Sequence, residues 1–304
     1  MQAERINMMK KATHNKTYDY HSHTNKAQIT VKQGEIFQVE TELCTGGWLL
    51  SKEDVWTPDK TCALNPTVVI AVEDAKPGDL LAVKIVDILP DSIGYTGFTN
   101  KSNPLADKIL PRDWGVNVKT VEIRDNYIYW SEKLRLPIAP MIGTLGTAPK
   151  TESLSNAKAG THGGNMDVQE VAPGNTVYLP VEVEGALLHI GDVHAIQGDG
   201  EINCSGGVEC RSLITLSVST VPRPKNFHCV RIENDDYIMA VGTERSLEES
   251  FHAAVKELLD WMVVEYDFVL EEAYLLLGQV MEARCTQFVN PTNSYLCKIA
   301  KKYI

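Results

Sequence analysis

The segment Gly191-Asp192-Val193-His194-Ala195-Ile196-Gln197-Gly198-Asp199-Gly200-Glu201 holds the densest chemistry in this 304-residue chain. Asp192, His194, Asp199 and Glu201 are four groups able to ligate a metal or move a proton, all within ten residues. Asp192 and His194 are two apart, so on extended backbone they project to one face. Upstream, Gly160-Thr161-His162-Gly163-Gly164-Asn165-Met166-Asp167 repeats the theme of histidine and aspartate separated by a glycine pair. Imidazole with carboxylate is a ligand set for zinc or a related divalent ion, with one position left for water in a catalytic site. Such an ion lowers the pKa of water and polarises a carbonyl, and a free glutamate beside it can act as general base. The same composition also makes tight turns in which aspartate accepts backbone N–H groups, so residue content alone leaves a plain loop as the alternative.

Weaker candidates lie elsewhere. His21-Ser22-His23 puts two imidazoles on one face near the amino end. Glu40 and Glu42 share a strand face, where solvated carboxylates are the ordinary case. The cysteines at 44, 62, 204, 210, 229, 285 and 297 contain no CxxC pair. They read as reduced, mostly buried thiols rather than a disulfide scaffold. Trp48, Trp56 and Trp114 are expected in the core or a pocket wall.

These groups need a frame, and the frame reads as β structure. Alternating runs occur at 28–31, 36–41, 67–73 and 80–88, with Pro77-Gly78 as a turn between the last two. Residues 90–115, rich in Gly, Asn, Pro and Asp, read as a long surface excursion. Further strands are expected at 118–123, 127–130, 176–179, 186–190, 213–221 and 237–241. Helix is expected only after residue 245. Ser246-Leu247-Glu248-Glu249 is a capping box followed by Phe251, Val255, Leu258, Leu259 and Met262 at helical spacing. A second helix is expected from Leu270 through Ala283, then an extended tail from Cys285 to Ile299. This order predicts a β-rich α+β fold, a sandwich- or barrel-like β body with a C-terminal helical hairpin. The division expected is an N-terminal β-rich subdomain, 1–136, tightly joined to a C-terminal α+β subdomain, 137–304, carrying the 191–201 segment. Leu258, Met262, Leu275 and Leu276 are candidates for core or a dimer contact.

Composition bounds the partners. Forty acidic against 29 basic residues, a net charge of −11, argue against nucleic acid or an anionic membrane. No apolar run approaches the roughly 18 residues of a membrane helix, and no signal-peptide stretch follows Met1, so a cytoplasmic location is expected. No GxGxxG or GxxxxGK[ST] pattern follows a strand, which excludes the common nucleotide sites.

The Gly163-Gly-Asn-Met-Asp167 run, Val177-Tyr-Leu-Pro180, Gly185-Ala-Leu187 and the 191–201 segment, in that order, resemble the acetamidase/formamidase family. Asn65-Pro66, Pro77-Gly-Asp79, Gly143 to Pro149 and Gln287-Phe-Val-Asn-Pro291 extend the likeness over residues 29–295. Two departures touch the pocket: the family's tryptophan soon after the N-terminal histidine is missing from Asp19 to Asn25, and residues 202–208 differ. The resemblance implies a β-rich, metal-containing hydrolase of small neutral aliphatic amides. Under it His162, Asp192 and His194 would hold zinc, with Asp167 as fourth ligand or orienter and calcium as a candidate second ion. Glu201 would be the base, with Glu42 and Glu209 as alternatives, and Asn165, Gln197 and Asp199 would line the substrate pocket. A homodimer or higher homo-oligomer is expected. The competing readings are a thiol amidase using Cys204 or Cys210 and a cupin-like metal-binding barrel without amidase activity.

Overall fold

A computed structural model describes residues 9–99, 104–110, 115–203 and 205–304. Cys204 and Trp114 fall outside them. Two large, almost wholly antiparallel sheets carry the fold. In spatial order the first runs Lys10–Ala12, Ile36–Thr41, Ser212–Pro222, Asp79–Pro90, Thr176–Pro180, Val230–Glu233, Tyr237–Glu244, Asn293–Ala300 and Glu282–Gln287. The second runs Arg135–Pro137, Tyr127–Tyr129, Val116–Arg124, Ile93–Thr99, Glu209–Cys210, Leu188–His194, Met141–Thr147, Gly163–Asn165 and Ala159–Gly160. Thr67–Val72 attaches to Leu188–His194, and Ile29–Val31 lies parallel to it.

One hydrophobic core fills the space between the sheets. Val83, Ile85, Val177, Leu179, Ile214 and Leu216 of the first sheet share it with Val68, Ile70, Ile142, Leu145, Leu188 and Ile190 of the second. The period-two pattern of the sequence is visible here: Phe37, Val39 and Thr41 are buried between exposed or half-buried neighbours. Tyr237–Glu244 is apolar on both faces because Met239 and Val241 enter the sandwich while Ile238 and Ala240 meet the helices behind.

Those helices are Leu247–Glu265 and Leu270–Val280. Ser246 caps the first, its hydroxyl accepting the Glu249 N–H at 3.1 Å. Leu258 and Met262 are core, whereas Leu275 is 63% exposed. The second helix stops at Val280 rather than Ala283, because Glu282–Gln287 pairs with Asn293–Ala300 and that ladder takes the chain out of helix.

The structure departs from the sequence expectation in three places that matter for the site. Residues 93–99 form a sheet strand, not a surface excursion. Their glycines serve packing, since a Cβ at Gly94 or Gly97 would lie 2.8 Å from the Glu209 carbonyl or 2.7 Å from that of Asn117. The strand expected at 186–190 runs on to His194, and Met141–Thr147 is a fully buried strand that its glycines disguise. Finally, both sheets draw strands from either side of residue 136, so a division at 136/137 cuts across both.

Candidate active site

Met141–Thr147 and Leu188–His194 pair side by side, and the chemistry gathers at one end of that pair. Oxygen and nitrogen atoms of Asp167, Asp192 and His194 lie within 4.8 Å of one another, all buried. Glu209 enters from the next strand, its Oε1 3.2 Å from His194 Nε2, with Asp192 Oδ1 at 3.5 Å. Glu201 reaches the centre through a carboxyl contact with Asp167 and is 5% exposed. Four carboxylates and one imidazole are thus buried together.

Local backbone makes this crowding feasible. Asp167 (φ +49°), Asp192 (+57°) and Glu201 (+46°) all occupy the left-handed region, which L side chains enter at a cost. Opposite Asp192 stands Gly143, where a Cβ would lie 2.5 Å from Asp167 Oδ1 and 2.7 Å from Asp192 Oδ2. Only glycine leaves room for both carboxylates. Thr144 bridges outward, its hydroxyl 2.6 Å from Asn165 Oδ1 and 3.1 Å from Asp192 Oδ2. Asn290 donates to Asp167 Oδ2 at 2.7 Å.

The histidine is held in a defined tautomer. Gln197 donates through Nε2 to the carbonyls of Asp167 and Thr286, so its Oε1 accepts from His194 Nδ1 at 2.8 Å. That leaves Nε2 facing Asp192 and Glu209, the orientation a metal-ligating histidine adopts. Burial pushes the Glu209 carboxyl up to about 8 and Asp167, beside Asp192, to about 6. Glu201 is raised well above the usual carboxylate range by burial and by Asp167. Burial alone would lower His194, but Glu209 and Asp192 outweigh it and raise it well above 6.5. The carboxyl shifts record desolvation and like charge, and the His194 shift records attraction to its anionic neighbours.

A divalent cation fits these residues. Asp167 Oδ1, Glu201 Oε2 and Glu209 Oε2 are buried without a hydrogen-bond partner. Among the described residues no lysine or arginine forms an ion pair with the cluster, and His194 alone pairs with its carboxylates.

The remaining sequence candidates sit elsewhere. His162 does not join Asp167, Asp192 and His194. It lies at the turn between Ala159–Gly160 and Gly163–Asn165, where Gly163 and Gly164 (φ +91° and +86°) carry the chain away from it. Its ring meets His21 edge-on at 5.0 Å, and His21 stacks on His189 at 4.5 Å. His23 is exposed. Glu42 is ion-paired with Arg211 at 2.5 Å, and Asp199 is a surface partner of Arg284 at 2.9 Å. Asn165 is buried beside Thr144; Gln197 positions His194 rather than lining open space. Cys210 is buried, its thiol pushed up to about 12 by desolvation, which disfavours it as a nucleophile. Sequence reasoning passed over Cys44, Gly143, Thr144 and Asn290; the Gly143 and Asn290 stretches were the available signal.

Comparison with known proteins decides the family. The sequence model described as "Acetamidase/Formamidase family" matches residues 3–161 and 157–299. The chain belongs to this family. It is 30% identical over 257 residues to an acetamidase of Mycolicibacterium smegmatis, covering 64% of this chain and 63% of that one. The chain thus spans a little under two thirds of that relative's length. A crystal structure of an acetamidase from Bacillus halodurans superposes with a TM-score of 0.89 at 30% identity, over 96% of this chain and 98% of that one. A predicted acetamidase/formamidase from Thermoanaerobacter tengcongensis gives 0.89 at 32% identity over 97% of each.

Proposed function

We propose that this acetamidase/formamidase family member hydrolyses the C–N bond of small neutral aliphatic amides, giving carboxylate and ammonia. The observation that carries the reading is the buried centre of Asp167, Asp192, His194, Glu201 and Glu209, with three unpartnered oxygens turned into it. Asp167, Asp192 and His194 would hold a divalent cation, and zinc suits one imidazole with carboxylates. When bound, such an ion supplies Lewis acidity that acidifies water and polarises a carbonyl oxygen.

Glu201 carries the proton. Its carboxylate takes one from the attacking water and returns it to the departing nitrogen, which must leave as ammonia rather than as amide anion. Burial and the neighbouring Asp167 raise the Glu201 carboxyl well above the usual carboxylate range, which strengthens it as a proton acceptor. Gln197 fixes the His194 ring, and Asn290 fixes Asp167. Glu201→Gln is expected to lower kcat for acetamide or formamide at least about 100-fold while cation content is retained. Ammonia release with metal analysis checks this, and near-normal turnover would remove Glu201 from the role.

Assembly and location belong to the same reading. Val269, Leu270, Tyr274 and Leu275 are more than half exposed on or beside the second helix, which supports self-association as a homodimer or larger. The six described cysteines are all free thiols, which supports a cytoplasmic location.

A further inference from the structure

We propose that a second cavity, apart from the carboxylate centre, binds an uncharged primary amide with an apolar body, its carbonyl oxygen held by Arg231 and Trp261. The inference rests on the cavity's own chemistry and not on the amidase reading. Among the described residues that line it, none belongs to the buried centre.

The cavity holds about 430 Å³, within the range of small-molecule sites. Neighbouring strands of the first sheet reach it through Leu80, Tyr178 and Arg231, and the Leu247–Glu265 helix through Trp261 and Val264. Two donors in this wall have nothing to bind. Arg231 Nη2 and Trp261 Nε1 are buried without a hydrogen-bond partner, on residues each 2% exposed. The guanidinium carbon lies 4.7 Å over the Trp261 ring, so the two donors belong to groups in contact. A buried N–H left unpaired is costly, and an acceptor oxygen brought by a ligand relieves both.

Charge narrows the class. Arg231 already pairs with Glu257 at 2.6 Å and Glu265 at 2.7 Å, and Arg223 with Glu182. A ligand carboxylate would be the third beside one guanidinium, and like charges so placed repel. An uncharged carbonyl oxygen accepts from the same donors without that repulsion.

The acceptors in the cavity complete the match. Tyr178 O–H donates to Glu233 Oε2 at 2.8 Å and Arg231 Nη1 donates to Glu265 Oε1 at 2.7 Å. Both carboxylates line the cavity, and a carboxylate has about four acceptor positions. The NH2 of a primary amide therefore finds an acceptor while its oxygen faces Arg231 and Trp261. Leu80, Val221 and Pro222 give the rest of the ligand an apolar wall, and Tyr178 an aromatic one.

The test is fluorine NMR of 4-fluorobenzamide titrated with the full-length protein, beside 4-fluorobenzoate. The amide is expected to bind with a Kd of about 1 mM or tighter, as suits a ligand of this size. The benzoate is expected to bind at least about tenfold more weakly. Val264→Trp, at a half-exposed position on the cavity's edge, is expected to abolish amide binding by filling the space. Trp261→Phe keeps an aromatic wall and deletes one donor, and is expected to weaken the amide roughly 3- to 10-fold. It decides the matter alone if Val264→Trp does not fold. No binding by about 10 mM amide, roughly ten times the expected Kd, would leave the cavity to water and overturn the site. So would amide binding indifferent to both substitutions, or benzoate binding as tightly as the amide.

Discussion

Asp167, Asp192 and Glu201 all pay for their positions with left-handed backbone, and Gly143 opposite them has no side chain to lose. Such residues persist where surrounding contacts over-determine them, at order 1–3 kcal/mol each. Here the contacts are Thr144 to Asp192, Asn290 to Asp167 and the Gln197 brace on His194. Gly143→Ala is therefore expected to be costly out of proportion to one methyl group. Its Cβ would drive the two aspartates apart, lowering cation affinity and ammonia release at least about tenfold and stability by about 1–3 kcal/mol. Cobalt titration and a urea melt of the variant check both; an unchanged titration would show that the carboxylates are free to move.

At the scale of elements, the C-terminal helices act as a clamp on the sheet that backs the site. Gly242 shows how closely they sit, since a Cβ there would lie 1.8 Å from the Ser250 carbonyl. The clamp's polar anchor is Glu257, fully buried on the Leu247–Glu265 helix. It accepts the Arg231 Nε–H at 2.6 Å and the N–H groups of His228 and Cys229 at 2.7 and 3.0 Å. Arg231 is 2% exposed and stacks 4.7 Å over Trp261. Breaking a buried pair by removing one partner strands the other charge. Glu257→Ala is expected to cost about 3–5 kcal/mol in urea unfolding. A loss under about 1 kcal/mol would mean that Glu265, at the rim, carries Arg231 alone.

Taken whole, the molecule stores charge preferences of opposite sign in two buried places. Burial holds His162 and His189 down at about 4 and lowers His21 well below 6.5. These rings are neutral in the fold and bind protons on unfolding. Their stability contribution is full above 6.5 and falls as pH drops toward 4, by about 3 kcal/mol each for His162 and His189. His189→Gln is expected to flatten that acid arm in urea unfolding between pH 7 and 5. The acidic centre behaves oppositely when stripped of metal. Glu209 is raised from 4.5 to about 8, so its stability contribution is present below 4.5 and is lost as pH rises through 8. Chelated protein is expected to weaken toward pH 8, and saturating zinc to abolish that weakening, because a cation favours the ionised carboxylates. An alkaline arm indifferent to zinc would place the cation elsewhere.

Much of this was legible in the residues. Alternation and the Ser246 capping box marked strands and helix, because burial on one face and satisfaction of helix N–H groups are local demands. The 167-to-201 stretch announced Asp167, Asp192, His194 and Glu201 because carboxylate and imidazole so closely spaced are costly unless used. Glycine misled: in 93–99 it signalled a surface excursion, and in 141–147 it left a strand unread, where it permits close packing of strands. Nor does spacing say which histidine faces which carboxylate. His162 went to His21 and His189 because two left-handed glycines turned the chain between it and Asp167. Cys44 came beside Glu209, 165 residues later, through sheet pairing that no local pattern encodes. The chain's own text determined which chemical groups are available and which stretches are strand or helix, since those follow from nearest neighbours. Only the tertiary structure decided which groups share one desolvated volume, since that depends on strand order and on where a missing side chain leaves space.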